Sequence, residues 1–549
     1  MMLARTHAMA LVGVQGHPVE IEADIENGLV ALLLVGLPDT ALREARDRIR
    51  SAIVNSGEAW PQRRITVGLS PASLPKRGSG FDLGLAAAIM AAAGAVPADR
   101  LNGMVFLGEL GLDGRVRPVP GVLPAAAAAV AAGFQAMAVS PENVGEATLV
   151  PGLRVLSTPT LGALLAWLRD EQPAAGATAG TATGRATGRA AGLATGPAVA
   201  RPAAAQMVEP GAASAAFRAA SLAAGPAAGH DRDLADVIGQ PVARRAAEIC
   251  AAGGHHLLLL GPPGVGKTML AERLPTILPP LELAAALEVS SIHSVAGTLP
   301  AGRPLMTEPP FCAPHHTATK AAIVGGGSGV IRPGAASLAH HGCLFLDEAP
   351  EFGRDVLDAL RQPLESGEVI IARSGLTAAF PARFTLVLAA NPCPCARAST
   401  VGSTCTCTPV VRRRYLARLS GPLLDRVDVK VELLPVGRAE LLSDRQLAEP
   451  SAVVAARVGE ARQRTARRLR GTRWRLNAEI PGAELRRTFR PAPGALAPLE
   501  RAMDLGEISA RGVDRIVRLS WTLADLAGVP RPGTPEIGYA LGLWLGVGY

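Results

Sequence analysis

Aromatic side chains are scarce in this chain, at 3% of residues, so its cores must be packed from the Ala, Leu and Val that dominate a 48% hydrophobic fraction. Cysteine is sparse too. There are seven in 549 residues: Cys393, Cys395, Cys405 and Cys407 are clustered, while Cys250, Cys312 and Cys343 are scattered through apolar or motif contexts. That pattern excludes the disulfide framework of a small secreted domain. Long apolar runs are missing. The richest stretches, 83–96 and 125–132, are mostly alanine and too short to cross a bilayer. The first fourteen residues carry one arginine and an apolar stretch broken by His7 and Gly13, without a signal-peptide cleavage pattern. A cytoplasmic protein with no membrane partner is expected. A one-sided charge is lacking as well: 55 basic against 47 acidic residues leave +8, a weak argument for a polyanionic partner.

What is present is organised around Gly261-Pro262-Pro263-Gly264-Val265-Gly266-Lys267-Thr268, which directly follows Leu257-Leu258-Leu259-Leu260. A buried parallel strand that turns through glycines into a helix at 269–274 aims backbone N–H groups at one spot, where phosphates bind. Lys267 reaches the β- and γ-phosphates as a point charge, and the Thr268 hydroxyl becomes a Mg²⁺ ligand. ATP with Mg²⁺ is the expected cofactor pair. The second signal is His341-Gly342-Cys343-Leu344-Phe345-Leu346-Asp347-Glu348. A hydrophobic strand ending in Asp-Glu sets Asp347 beside the metal and Glu348 where it polarises an attacking water as general base. A further strand at 383–390 ends at Asn391, whose amide can orient that water. Between the two, 368–380 holds two apolar runs around Arg373-Ser374-Gly375, a β-hairpin pattern.

Ahead of this core, residues 1–171 read as an α/β unit: a half-exposed strand at 19–26, a buried strand at 29–35, a helix at 41–55, a strand at 65–69, a helix at 81–93 and a strand at 104–110. Residues 172–229 collapse into Ala, Gly, Thr and Pro, with too few large apolar side chains to offset the entropy of ordering, and read as a disordered linker. The ATPase core then spans 230–435, and a helical connector and lid 436–549. After Asn391 come Cys393-Pro394-Cys395 and Cys405-Thr406-Cys407, two pairs able to close a loop on tetrahedral structural Zn²⁺, or to remain free thiols in a reducing cytosol. His255-His256, His315-His316 and His340-His341 suggest metal ligands, but neighbours on a strand point to opposite faces, so structural or nucleotide-sensing roles are expected. The connector is rich in arginine (Arg462, Arg464, Arg467, Arg468, Arg470, Arg473 and Arg475, around Trp474), either a phosphate-holding stretch or an exposed basic helix face.

Several motifs carry resemblances. Leu107-Gly108-Glu109-Leu110, Gly114-Arg115-Val116-Arg117-Pro118-Val119 and Ala138-Val139-Ser140-Pro141-Glu142-Asn143 resemble the proteolytic (S5-like) domain of Lon-type proteases over most of 10–150. The position where that family carries its lysine base holds Leu123, and the serine surroundings at 75–81 are altered. A catalytically silent scaffold follows. The leading segment 233–240, strand and phosphate loop resemble the P-loop AAA+ ATPases, with an α-helical lid; that leading segment either packs on adenine or only packs ahead of a helix. The hairpin resembles the presensor hairpin of the helicase and chelatase clade, which faces the pore of a ring, the alternative being a simple extra hairpin on the ATPase sheet. Residues 298–337 resemble the long insert of magnesium-chelatase-like proteins, where Lys320 is placed to touch a polyanion. By the same resemblance Arg426, in Leu423-Leu424-Asp425-Arg426, is the arginine presented to a neighbouring subunit's ATP, the alternative being a contact with Asp425 or Asp428 in its own chain. Arg511 is a second sensor reaching the γ-phosphate from the lid, and Arg515 and Arg518 are solvated or inter-subunit.

The combination of these features with Asn391-Pro392-Cys393-Pro394-Cys395 and Ser420-Gly421-Pro422 is similar to the YifB/ComM family of bacterial magnesium-chelatase-like AAA+ ATPases; Ala396 stands where that family usually has Gly. The resemblance implies a homohexameric motor on single-stranded or branched DNA, promoting branch migration during natural transformation. A chelatase-type motor that remodels a protein partner, a protease and a nucleotide-gated scaffold are the alternatives.

Overall fold

The computed structural model describes residues 2–36, 40–74, 76, 78–170, 204–208, 232–300, 302–327, 331–373, 376–395, 405–437 and 448–546. The chain divides into two units, Met1–Ala216 with Ser294–Pro304, and Phe217–His293 with Leu305–Tyr549.

The first unit is built on an eight-stranded mixed sheet. Its centre is an antiparallel hairpin, Met2–Val12 with Gln15–Glu26, turning at Gly13 in the left-handed region (φ 66°). The opening stretch, read above only as an apolar terminus, is thus a central strand. Beside it lie Met104–Phe106, Ala136–Val139 and Arg154–Ser157 in parallel; on the other side lie Arg64–Ser70 and then Ala31–Val35. The expected buried strand at 29–35 is corrected to a sheet edge: Ala31–Val35 pairs on one side only, and Leu29 and Val35 are exposed. Hydrophobicity alone does not separate a central strand from an edge. The helix Asp82–Ala92 is buried along its whole length, which explains why its sequence is apolar on every face. Of the expected linker 172–229, only 204–208 lie among the described residues. There Gln206–Val208 adds an antiparallel edge strand to Arg154–Ser157, with Met207 packed on the core.

The second unit carries a five-stranded sheet, all parallel, in the order Phe311–Cys312, Cys343–Leu346, Thr385–Ala390, Leu257–Leu260, Val429–Glu432. Cys343–Leu346 and Thr385–Ala390 are buried throughout, as strands of a sheet covered on both faces must be. The strand bearing the glycine loop lies between the strand that ends at Asn391 and the last strand. All three chemically marked turns therefore leave carboxyl ends of parallel strands, where ligands of open α/β sheets bind. The C-terminal helices Ser451–Arg468, Ala510–Ala527 and Thr534–Leu545 share one core with this sheet. Among the described residues no helix is long and apolar enough to cross a membrane.

Candidate active site

The loop after Leu257–Leu260 has the backbone its glycines require. Gly264 and Gly266 sit at φ 81° and 95°, and a Cβ on Gly261 would meet the Leu433 carbonyl at 2.6 Å. The turn opens the helix Lys267–Arg273. Pro262, Pro263 and Val265 complete the loop, and the Pro262 carbonyl faces inward. The buried Lys267 Nζ donates to the carbonyls of Gly261 (2.6 Å) and Pro262 (2.8 Å) and to Asn391 Oδ1 (3.0 Å). Burial lowers the proton affinity of that ammonium, while the nearby charges of Asp347 and Glu348 raise it.

Thr268 Oγ1 donates to Asp347 Oδ2 at 2.7 Å, bringing together two oxygen ligands of the hard kind that Mg²⁺ selects. Asp347 Oδ1 accepts from the Glu348 N–H at 2.8 Å, and Glu348 holds a left-handed backbone (φ 50°). That conformation is uncommon outside glycine. Glu348 Oε2 meets His316 Nδ1 at 3.3 Å, a partner that sequence reasoning missed. Thr268, Glu272, His316, Phe345, Asp347 and Glu348 line one cleft of ≈ 270 Å³. The arrangement fits ATP with Mg²⁺: the loop and Lys267 would hold phosphates, Thr268 and Asp347 would hold the metal, and Glu348 and Asn391 would flank an attacking water. The leading segment packs against its own unit. Val237 is buried, and Gln240 Nε2 donates to the Leu434 carbonyl at 2.7 Å.

Three stretches match known families: residues 21–143 match the subunit ChlI of Mg-chelatase, 233–441 match magnesium chelatase, subunit ChlI, and 448–543 match its C-terminal part. An uncharacterized protein of Mycobacterium tuberculosis is 49% identical over 98% of both chains. YifB of Escherichia coli is 38% identical over 96% of this chain and 94% of its own. The competence protein ComM of Haemophilus influenzae is 38% identical over 99% and 97%. The chain belongs to the YifB/ComM family of magnesium-chelatase-like proteins. Its second unit is a AAA+ ATPase.

The arginines of this YifB/ComM chain divide differently from expectation. Arg426 is not presented as a free finger. Its side chain is 13% exposed, ion-paired with Glu365 and donating to the Pro422 carbonyl, so it touches neither Asp425 nor Asp428 through its side chain. Arg511 is exposed on the first turn of Ala510–Ala527, and its charge is felt at Arg426. Arg515 and Arg518, expected to be solvated or inter-subunit, are instead internal. Arg515 pairs with buried Asp428 at 2.9 Å, and Arg518 Nε donates to the Ile480 carbonyl at 2.6 Å. The connector splits. Arg462 caps the Ala251 carbonyl and Arg468 pairs with Asp525 at 2.6 Å above the Trp521 ring, whereas Arg467, Arg470, Arg473 and Arg475 are exposed.

None of the histidine pairs lies within a strand of the sheet, and two of them keep their rings together. The rings of His315 and His316 are 4.1 Å apart. His340 and His341 both reach Glu288 Oε2, at 3.1 and 3.3 Å, with His341 left-handed (φ 58°). These hydrogen bonds hold Glu288 well below the usual carboxylate range. His340 Nδ1 accepts the Arg383 N–H at 3.0 Å, so its proton is on Nε2 and points at Glu288. That ring offers Glu288 an N–H rather than a lone pair, which makes the trio a structural knot and not a cation site. His255 bridges Asp428 (3.0 Å) and Thr522 (2.8 Å), tying the foot of the glycine-loop strand to the lid helix. The four clustered cysteines converge: all Sγ atoms lie within 4.8 Å of one another, with Cys393 to Cys395 at 3.2 Å and to Cys405 at 3.3 Å. In the first unit Ser79 Oγ donates to Glu109, and the Leu123 N–H is fixed on Glu146 at 3.3 Å.

Proposed function

We propose that this chain forms a homohexameric cytoplasmic ring that couples ATP hydrolysis to the movement of single-stranded or branched DNA, promoting branch migration during recombination of incoming DNA. The observation that carries the reading is the hairpin Glu368–Arg373 with Leu376–Pro381. Val369, Ile371, Ala378 and Phe380 bury one face against the core, Ile370, Ala372 and Thr377 expose the other, and Arg373, next after Ile371 on the buried face, is exposed at the strand's end. The insert meets the hairpin on the side of Ile371 and Arg373. Gly326, paired with exposed Arg332, faces the Arg373 guanidinium so closely that a Cβ on it would lie 3.7 Å from Nη2. Exposed Arg332 and Arg373, with Ile370 exposed on the hairpin, suit a phosphate backbone with bases. In this reading Glu348 is the general base, Asn391 positions water, and Arg426 and Arg511 stabilise the transferred phosphoryl. The four thiolates hold structural Zn²⁺, closing the loop between Asn391 and the arginine segment. The first unit is a silent scaffold whose serine is engaged by Glu109.

A chelatase-type motor acting on a protein partner is the second reading. The magnesium-chelatase 38 kDa subunit of Cereibacter sphaeroides is 27% identical over only 28% of this chain and 51% of its own. Full-length similarity to YifB and ComM favours the DNA reading. The deciding measurement is ATP turnover with and without single-stranded or forked DNA. A severalfold rise that vanishes in Lys267→Ala supports the motor, and an unchanged rate with every DNA tried moves the assignment to the chelatase reading.

A further inference from the structure

Arg426 is turned inward onto Glu365, whose own side chain is 64% exposed. Arg361, Arg511 and Arg515 stand close enough for their charges to act on it. Arg515 is committed to Asp428 (2.9 Å) and to the Arg426 carbonyl (3.1 Å). Arg361 pairs with Asp358 (2.8 Å) and donates to Ser420 Oγ (3.1 Å). The buried Nε–H groups of both Arg361 and Arg426 have no acceptor among the described residues. Positive charge and unused donors are therefore in surplus at one place, which is the signature of a site built for an anion larger than the carboxylate now there. Glu365 belongs to the short helix Arg361–Ser366, which passes through left-handed Gly367 (φ 74°) straight into the hairpin strand Glu368–Arg373.

We propose that Glu365 holds the Arg361/Arg426 face in the lone subunit as a stand-in anion, and that ring assembly displaces it in favour of the neighbouring copy's terminal phosphate, the anion already assigned to Arg426 above. The inference rests on the ring-ATPase reading. A terminal phosphate brings more charge and three acceptor oxygens where Glu365 brings one charge and two, so the exchange favours the neighbour once it is seated. With only Ser366 and Gly367 between Glu365 and the hairpin, a strand pulling on the hairpin shifts Glu365 and frees Arg426. The latch makes productive subunit contact compete with Glu365 and links hydrolysis to occupancy of the hairpin.

The test measures ATP turnover against concentration of the full chain, with and without single-stranded DNA, for wild type, Glu365→Gln, Glu365→Asp, Arg426→Ala and the Glu365→Gln/Arg426→Ala pair. Glu365→Gln should raise DNA-free turnover severalfold and lower the protein concentration at half-maximal activity, with KM for ATP unchanged and a smaller stimulation by DNA. Glu365→Asp should return both towards wild type, and the double variant should be as inactive as Arg426→Ala. Wild-type turnover and concentration dependence in Glu365→Gln, with Arg426→Ala inactive, overturns the latch and leaves the ring standing. Full activity in Arg426→Ala removes the ring reading, and the latch with it.

Discussion

Each unit of this protein buries one lysine, and the two make different use of it. Lys76 in the first unit is fully buried, and its ammonium ends on the Pro71 carbonyl. Lys267 in the second is 8% exposed and ends on two carbonyls and Asn391, with Thr268, Asp347 and Glu348 alongside. Burial lowers the proton affinity of both, and only at Lys267 do carboxylates push it back up. A buried cation becomes a site only where parallel strand ends bring acids and oxygen ligands to it. In the first unit Ser79 donates to Glu109, and burial alone acts on Lys76.

The sharpest way to break the comparison is to remove each lysine in turn. Lys267→Ala should cut ATP turnover by about two orders of magnitude or more, while Lys76→Met should leave turnover within about twofold and act on stability alone; a coupled ATPase assay reads both. Loss of turnover in Lys76→Met would mean the first unit takes part in the chemistry.

The buried carboxylates offer the next contrast. Asp428 is held well below the usual carboxylate range: burial alone would raise it, but Arg515 and His255 outweigh that. Asp82 in the first unit is pushed up to about 6 by burial, against the opposing pull of Arg48. Asp428→Ala strands Arg515 and His255 and should cost roughly 3–5 kcal/mol, whereas Asp82→Asn should cost about 1 kcal/mol; denaturant unfolding distinguishes them. Metal content comes third. The intact chain should carry one zinc, and Cys405→Ser should lose most of it, whereas clearly substoichiometric metal in the intact protein removes the four-thiolate site.

Acid sharpens the comparison most gently. His256 Nδ1 accepts the Leu386 N–H at 3.0 Å, and burial brings its pKa from 6.5 down to about 4. A depressed folded-state value means that this stability is present above pH 6.5 and is lost as pH falls towards 4. Asp82 has the opposite sign: its folded-state value is raised, so its contribution is complete below 3.8 and lost as pH rises through about 6. Between those limits acidification should lower the melting transition of the ATPase unit more than that of the first unit, and His256→Gln should flatten the difference in calorimetry.

Much of the ATPase core was legible. The glycine loop, the strand ending in Asp347-Glu348, the hairpin and the strand before Asn391 are contiguous patterns, and each lies at a strand end. The edge position of Ala31–Val35 was not legible, since pairing on one side leaves no mark in composition. Nor was the strand Gln206–Val208, three residues inside an alanine-rich tract. The connector arginines look alike in one dimension, yet Arg462 and Arg468 are core struts while Arg467 and Arg470 face solvent.

By itself the sequence determined a phosphate-binding loop, its acid pair and a sheet to carry them, because those depend on residues adjacent along the chain. Only the tertiary structure decided that His316 sits on Glu348, that Arg515 holds Asp428, and that Arg426 is clasped by Glu365 sixty-one positions away. Such pairings follow from the order in which strands lie in the sheet, and a side chain's partner is chosen by distance in space, which no local pattern encodes.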